Sequence, residues 1–252
     1  MLTAVACYEN QEGCLDILAE NYDVTADTEC LDCCTYPDLV LSLTQVNGDT
    51  TFSLGDTIVN DLGQQTVIID MVYFLSGFEI EIDGEAKSVA DSMLVDNEMD
   101  TLAITDDAIA VSRTRGSYIV GELRDRGRIT EISFDIGIPS EVNGNTLIVE
   151  SSNDLTANAD TLRNIDNTYS IQRLVLGTGS DLTDTITIEV DASYGGALVV
   201  VEIDTTFALG TDKRIPLTVD YSTWFDGIDF TTSTAEEQQQ ALVSNLSQGF
   251  SY

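Results

Sequence analysis

The stretch that most limits the possible folds is residues 69–84, IDMVYFLSGFEIEIDG, which is apolar in two alternating registers. One register holds Ile69, Met71, Tyr73 and Leu75, and the other holds Val72 and Phe74. Alternation is typical of a half-buried strand, and a strand that is apolar on both faces lies between two layers. We predict two strands here, separated by a break at Ser76 and Gly77 and closed by a turn at Asp83 and Gly84.

Strand and turn signals continue along most of the chain. Asn47-Gly48 lies between two apolar runs, which is a strong hairpin signal. Further strands are predicted at residues 39–44, 51–54, 66–69, 117–123, 130–136, 147–150, 185–190, 197–203 and 215–220, with Gly-containing turns at residues 143–144 and 195–196. Many short strands without intervening helices predict an all-β fold, an antiparallel β-sandwich.

Two segments depart from this pattern. Residues 151–170 are rich in Asn, Asp, Thr and Ser and predict a long loop of the functional or mobile kind. Near the C-terminus, Ser233 followed by Glu236 matches a capping box. The sequence therefore predicts a short C-terminal helix near residues 234–248 that packs on the sheet.

The charge of the chain restricts its partners. The 252 residues include 44 acidic and 10 basic residues, a formal net charge of -34, and no histidine. Such a chain is repelled by nucleic acid and by anionic membrane surfaces. Without histidine, it has no Ser-His-Asp or Cys-His catalytic site and no imidazole metal ligand. No stretch approaches the roughly 20 apolar residues of a transmembrane helix.

All five cysteines lie in the first 34 residues, which defines a cysteine-rich head at residues 1–36 and a body at residues 37–252. Clustered cysteines in an acidic segment are typical of disulfides in an exported protein. Cys7 follows Thr3-Ala4-Val5-Ala6, small residues like those before a lipoprotein cysteine, although Met1-Leu2 lacks the features of a signal peptide. If Cys7 carries a lipid anchor, the other four can form two disulfides in any of three patterns; otherwise Cys7 itself pairs. Those four are Cys14, Cys30, Cys33 and Cys34.

The head also offers candidate calcium ligands. Asp23, Asp27 and Glu29 could supply carboxylate oxygens to Ca²⁺, whereas the alternative is that these residues only form turns. The cysteine and Asn-Tyr-Asp pattern from Gly13 to Tyr36 resembles a short motif of secreted bacterial surface proteins, especially in Bacteroidota.

Five of the ten basic residues fall within residues 113–128, which we call the arginine segment. They are Arg113, Arg115, Arg124, Arg126 and Arg128. One interpretation is a patch that contacts the acidic face of a neighbouring molecule. The other is local ion pairing with Glu122, Asp125 and Glu131.

Several segments, in order, resemble the MbnP-like copper-binding proteins, an exported bacterial family associated with methanobactin. The similarity spans about residues 38–251. The segments that carry it are FSLG with VN (residues 52–60), VYFLS with FEI (72–80), SMLVD (92–96), ISFDIGIP (132–139), VD (219–220) and WFDG (224–227).

The resemblance implies an exported β-sandwich and, in some members, copper held by histidine and by a tryptophan oxidised by a di-haem partner. This chain departs from that pattern. The family usually has a His-Pro and Trp-rich segment in its middle, whereas residues 151–170 of this chain contain neither histidine nor tryptophan. Copper is therefore implied by the family, but no copper ligand is carried over to a residue of this chain. Trp224, the only tryptophan, is a candidate modified aromatic or, alternatively, an ordinary core residue.

Three functional hypotheses follow. The first is a non-enzymatic exported protein, at the outer membrane, on the cell surface or extracellular, that binds metal as the family does but has lost the histidine copper site. The second is a structural or assembly subunit that acts through contacts with a protein partner or with its own copies. The third is a carboxylate-based hydrolase.

Overall fold

In the computed structural model, strands dominate the described residues, which are 10–89, 93–96, 101–104, 108–139, 142, 146–147, 169–191, 196–208 and 210–252. The strands are β1 (Glu12–Gly13), β2 (Thr28–Glu29), β3 (Asp38–Asn47), β4 (Thr50–Thr51), β5 (Thr57–Val59), β6 (Gln65–Ile82), β7 (Glu85–Ser88), β8 (Met93–Asp96), β9 (Thr101–Ile104), β10 (Ile109–Ser112), β11 (Ser117–Glu122), β12 (Arg128–Ile136), β13 (Thr146–Leu147), β14 (Ser170–Thr178), β15 (Asp184–Asp191), β16 (Ala197–Thr206), β17 (Lys213–Asp220) and β18 (Phe250–Ser251). The α-helix of the described residues is α1 (Ala235–Leu246).

Two large sheets form the sandwich. The main sheet has the order β15-β14-β6-β12-β16, and β5, β7 and β10 also pair with β6. The second sheet has the order β11-β3-β17-β18, with β4 paired to β3. Side chains from both sheets share one apolar core. The predicted antiparallel sandwich is confirmed, with one parallel pair, β3 with β17, inside the second sheet.

The predicted break in the central stretch is wrong, because β6 continues through Ser76 and Gly77 as one strand of 18 residues. Gly77 has a φ of +63°, and the pairing with β12 shifts register at this point. A glycine accepts this backbone conformation without a Cβ clash, so a bulge bends the strand and leaves its pairing intact. The turn at Asp83 and Gly84 forms as predicted, with positive φ at both residues.

Both faces of β6 are buried, as its two apolar registers predict. Met71, Tyr73 and Leu75 lie in the main core, while Val72 and Phe74 lie in a second, smaller apolar cluster. Ile69 does not share the inner face and is 43% exposed. The register against β14 shifts here, so that Ile68 points inward in its place.

Two local predictions are each displaced by one residue. The hairpin after β3 turns at Gly48 and Asp49, because Asn47 already pairs with Thr50. The capping box of α1 is formed by Thr234 and Glu237 instead of Ser233 and Glu236: Thr234 Oγ1 accepts from the Glu237 amide, and Glu237 Oε2 accepts from the Thr234 amide at 2.7 Å. The helix packs through Leu242 and Leu246, which are buried.

Several predictions fall outside the described residues. These are the lipid site at Cys7, the turn at residues 143–144, the end of the strand predicted at 147–150, residue 195, and the polar loop up to residue 168. In the described part of the chain, no helix has the length and hydropathy needed to cross a membrane.

Candidate functional site

The head is a small module built on hydrogen bonds and disulfides. Its two short strands, β1 and β2, pair in parallel, and the backbones of Cys14 and Tyr22 form an isolated parallel β-bridge. The structure joins Cys14 to Cys34 and Cys30 to Cys33, which is one of the three patterns left open by the sequence. Such a short segment has little core of its own, so these cross-links hold its turns together.

Reduction is expected to loosen residues 10–36 while the body stays folded, because no cysteine lies beyond Cys34. The Cys14–Cys34 disulfide closes a loop with a sequence separation of 20, a constraint that stabilises by about 3 kcal/mol. After reduction with a phosphine, hydrogen exchange should accelerate in the head and stay unchanged in the strands of the body. Cooperative unfolding of the body together with the head would show that the proposed division at residue 36 is wrong.

The three candidate calcium ligands are not brought together as a ligand group. Asp23 Oδ1 accepts from the amide and the hydroxyl of Thr25 at 2.8 and 2.6 Å. Its Oδ2 accepts from Gln11 Nε2 at 3.0 Å, and Asp27 Oδ2 accepts from the Gln11 amide at 3.1 Å. The hydrogen bonds from Thr25 hold the pKa of Asp23 below its ordinary value. Asp23 and Asp27 thus accept hydrogen bonds from nearby turns, while Glu29 lies exposed beside a cavity, and calcium binding by these residues stays a prediction.

This cavity, of about 310 Å³, lies where the head meets the body. It is lined by Glu29, Cys30, Asp32, Cys34, Tyr36 and Arg124. The pairing of β11 with β3 is extended by the Leu123 amide, which donates to the Pro37 carbonyl at 2.8 Å. This additional backbone hydrogen bond places Arg124 next to Tyr36, and the guanidinium carbon of Arg124 lies 4.1 Å from the centroid of the tyrosine ring.

A second contact fixes the tyrosine from the side of the head. Its hydroxyl donates to Asp16 Oδ2 at 2.8 Å, which raises the pKa of Tyr36. The pKa of Asp16 is lowered most by the hydrogen bond from the Leu18 backbone amide and less by the one from this hydroxyl. The head is therefore held to the body by a carboxylate, an aromatic ring and a guanidinium in sequence.

The sulfur atoms of Cys30, Cys33 and Cys34 lie within 4.8 Å of one another. Among the described residues, this is the one group of three or more Cys, Asp or Glu side chains whose ligand atoms are that close. Two of the three, Cys30 and Cys34, line the cavity. All three sulfurs are in disulfides, so they offer no thiolate in this state.

Local contacts occupy part of the arginine segment. Arg124 pairs with Glu122 at 3.0 Å, and Arg128 makes two hydrogen bonds to Asp204 at 2.8 and 3.1 Å. The guanidinium of Arg115 lies 4.5 Å from the Tyr118 ring centroid. Arg113 and Arg126 are exposed and form no ion pair within the described part of the chain. Local ion pairing therefore accounts for Arg124 and Arg128, and the interpretation as a contact patch stays a prediction.

The only tryptophan lies deep in the body. Trp224 is 0% exposed and packs edge-to-face on Tyr73 and Tyr221, with ring centroids 5.2 and 4.7 Å apart. Its Nε1 has no hydrogen-bond partner among the described residues, and a Cβ on Gly249 would lie 2.6 Å from it. The hydroxyls of the two tyrosines are 3.3 Å apart, and burial raises the pKa of both.

A copper site of histidine and modified tryptophan does not fit these residues. The chain supplies no imidazole, and the indole of Trp224 is enclosed by aromatic rings and by the backbone at Gly249. Copper prefers imidazole or soft sulfur ligands, and the rings that pack on this indole, Tyr73 and Tyr221, offer neither. We therefore assign no copper ligand among the described residues of the body.

Two features of the structure escaped the sequence analysis. The stacking of Arg124 on Tyr36 joins residues from two elements, and only the register of β11 with β3 reveals it. Gln172 is 0% exposed in β14, and its side-chain oxygen and nitrogen both lack a partner in the described structure. A glutamine inside the apolar run of a central strand could have been noticed as an exception to the pattern.

Comparison with known proteins gives the following similarities. The model of the MbnP family matches residues 36–242 of the chain. Among solved structures, the chain is similar to MbnP from Methylosinus trichosporium at 12% sequence identity and a TM-score of 0.48, over 81% of this chain and 86% of that chain. No curated protein matches the chain.

Proposed function

Since the chain belongs to the MbnP family, we propose that it is an exported, non-enzymatic protein that binds a second copy of itself through its head. Export is supported by the family and by the two disulfides of the head. The absence of histidine supports a function that uses neither imidazole catalysis nor an imidazole copper site. The observation that carries the proposal is an exposed apolar side chain that lies, in the sequence, between the two carboxylates that line the head cavity.

That side chain is Leu31, which is 93% exposed and lies between Cys30 and Asp32. The head exposes four more large apolar residues within a short segment. They are Leu15, Ile17, Tyr22 and Val24. Scattered apolar residues are normal on a protein surface, but such a concentration on a small module is typical of an interaction surface.

The charge of the head identifies the chemistry of the partner. Residues 1–36 contain eight acidic residues and no lysine or arginine. Glu29 and Asp32 are exposed at the cavity, next to the place where Arg124 of the same chain already binds Tyr36. A surface of this kind fits an exposed guanidinium, and the body of this protein supplies one in Arg126.

The two complementary surfaces are adjacent on one molecule. Arg126 follows Arg124 by two residues, and Arg124 lines the cavity together with Glu29 and Asp32. When two complementary patches lie side by side, a two-fold axis can place each against its counterpart on a second copy, which closes the dimer. We therefore expect a symmetric pair in which Arg126 of each copy meets the carboxylates of the other.

The dependence of this association on salt should be distinctive. Two chains of net charge -34 repel one another at long range, and this repulsion is screened at about 0.1 M salt, where the Debye length is about 10 Å. Direct ion pairs are themselves weakened near 1 M salt, where the Debye length is about 3 Å. Sedimentation velocity of the disulfide-intact chain should therefore show most dimer at intermediate salt. A monomer at every salt and protein concentration would overturn the proposal.

Arg126→Glu should weaken dimerisation by at least about tenfold, since it places like charges at both symmetric contacts. Arg113→Glu is the matched control: it changes the net charge equally, but it precedes β11 whereas the head adjoins the other end of that strand. Its dimerisation constant should stay close to that of the wild type. If the two variants weaken association equally, net charge and not the head contact governs it.

Metal binding is a second candidate function, because the family is associated with copper and because the head holds the close group of sulfur atoms described above. It does not require a ligand in the body.

A further inference from the structure

Another cavity, of about 220 Å³, lies in the body at the start of β6. It is lined by residues 64–65, by residues 178–180 at the end of β14, and by residues 230–231 before α1. None of these residues belongs to the head or to the arginine segment, so the cavity is independent of the proposed dimer.

The wall of this cavity is formed in part by an aromatic ring. Phe230 is only partly buried and packs against the main core. Two polar side chains of the lining are already hydrogen-bonded within the protein. Gln64 Nε2 donates to Asp229 Oδ1 at 2.7 Å, and Gln64 Oε1 accepts from the Phe230 amide at 2.8 Å. Thr231 Oγ1 donates to Asp229 Oδ1 at 2.6 Å. The lining therefore suits an apolar group that contacts the phenyl ring.

A carboxylate lies directly against this lining. Asp184 is exposed at the start of β15, and its Oδ2 lies 2.6 Å from the position that a Cβ on Gly179 would take. The absence of a side chain at Gly179 thus allows the carboxylate to approach the cavity wall. Within the described part of the chain, Asp184 has no ion-pair partner. Its negative charge is therefore available to a cation in the cavity.

A second carboxylate adds to the negative potential at this site. Asp229 accepts hydrogen bonds from the hydroxyls of Thr231 and Thr232, both at 2.6 Å. These bonds and the one from Gln64 hold the pKa of Asp229 well below its ordinary value, so that it stays ionised. Because its own hydrogen-bonding capacity is largely used, Asp229 attracts a cation at a distance, whereas Asp184 can contact it.

The size of the cavity restricts the ligand. An apolar cavity of about 150 Å³ holds a benzene molecule, and pockets for drug-sized molecules begin at about 300 Å³. The cavity at the start of β6, of about 220 Å³, lies between these values. It therefore suits one six-membered ring with a short side chain.

We propose that this cavity binds a small organic cation in which one apolar ring carries a protonated amine on a short chain. The ring packs on Phe230, and such a pair of rings is favoured beyond the apolar area that it buries. The ammonium group lies beside Asp184. A neutral analogue gains no ion pair there, and an anionic one is repelled, so the charge of the site determines its specificity.

The test is a titration of the full chain with 2-phenylethylammonium chloride, followed by two-dimensional ¹H–¹⁵N NMR at about 0.15 M salt. Binding should saturate with a Kd of about 1 mM or below, and the changes in chemical shift should concentrate at residues 64–65, 178–184 and 229–231. 2-Phenylethanol, the matched neutral ligand, should bind at least about tenfold more weakly. Changes that spread over the acidic surface without saturation, or equal binding of the alcohol, would overturn the proposal.

Variants separate the site from the overall charge of the chain. Asp184→Asn should weaken binding of the ammonium ligand by at least about tenfold and leave binding of the alcohol unchanged. Glu85→Gln is the matched control, because it removes one exposed charge next to Ile82, at the opposite end of β6 from Gln65. It should keep the affinity of the wild type, and equal losses in the two variants would contradict the proposal.

A third variant tests the contact with the ring. Phe230→Leu keeps an apolar side chain but removes the aromatic ring, and it should weaken binding of both ligands by about threefold to tenfold. Its spectrum without ligand shows whether the fold is retained. Unchanged binding in a folded Phe230→Leu variant would show that the ligand does not pack on this ring, against the proposal.

Discussion

Trp224→Ala is expected to lower the free energy of unfolding by about 3–5 kcal/mol. The indole is fully buried and contacts the rings of Tyr73 and Tyr221 edge-to-face. Its removal costs the transfer free energy of a large apolar side chain, and it also leaves a cavity between two sheets that cannot close completely. Chemical denaturation monitored by far-ultraviolet circular dichroism measures the change without relying on the tryptophan itself.

Two controls separate this effect from a general sensitivity to mutation. Trp224→Phe keeps an aromatic ring in the cluster and should cost clearly less than the alanine substitution. Leu198→Ala removes a side chain that is 62% exposed on β16 and should change stability by no more than about 0.5 kcal/mol. If Trp224→Ala cost as little as Leu198→Ala, the indole would not be the structural centre described here, and its interpretation as a modified residue would gain weight.

Gln172→Leu is expected to raise the free energy of unfolding by about 1–3 kcal/mol. Both polar atoms of the Gln172 side chain are buried without a partner in the described structure, so the folded state bears their desolvation without a compensating hydrogen bond. Gln172 pairs with Tyr73 in the adjacent strand β6, and leucine at this place would add apolar contact to the core. Urea unfolding midpoints at equal m-values give the difference.

Gln65→Leu is the matched control, because Gln65 lies exposed at the start of β6. The same chemical change should there have an effect within about 0.5 kcal/mol. A loss of stability in Gln172→Leu would mean that the amide has a hydrogen-bond partner in solution, such as a buried water.

The fold could be predicted from the sequence mainly where the alternation of apolar and polar residues determines which side chains of a strand are buried. The two apolar registers around Val72 and Tyr73 identified a strand buried on both faces, and this is confirmed. Periodicity could not place the bulges at Ile69 and Gly77, because a bulge depends on the partner strand and not on local composition. For the same reason a single strand, β6, was predicted as two.

Helix capping shows a similar limit. Ser233 and Thr234 are both good N-cap residues, and each is followed by a glutamate three positions later. The structure selects Thr234, which the Glu237 carboxylate caps in return. The sequence thus predicted the helix and the kind of cap, but two equivalent candidates left the first residue undecided.

The candidate site was less accessible to sequence analysis. The cysteine spacing indicated disulfides, but not that three sulfurs meet beside a cavity. Similarly, the arginine segment suggested a contact surface without showing that Arg124 reaches the head. The approach of Arg124 to Tyr36 arises from the register of β11 with β3, which brings residues far apart in the chain together. The family assignment from ordered motifs is confirmed, and the resemblance of the head to a bacterial surface motif stays a prediction.

The chain belongs to the MbnP family and has no histidine, and the proposed function takes both facts into account. Among its described residues, the body encloses Trp224 in an aromatic cluster with Tyr73 and Tyr221. The head, in contrast, concentrates exposed apolar residues, carboxylates and sulfur atoms in fewer than forty residues. The functional contacts are therefore expected at the head and at the arginine next to it.

Mixing two charge-reversed variants tests this account most directly. Arg126→Glu places a carboxylate at the body side of the contact, and Glu29→Lys places an ammonium group at the head side. Each variant alone should therefore remain largely monomeric in sedimentation velocity at about 0.1 M salt. In an equimolar mixture, the two variants can form a mixed dimer with two attractive contacts. Glu29 of the Arg126→Glu variant then lies against Arg126 of the other variant, and the two substituted residues lie against each other at the second contact. The account predicts that the mixture regains the dimer, whereas a mixture that stays monomeric while the wild type dimerises would contradict it.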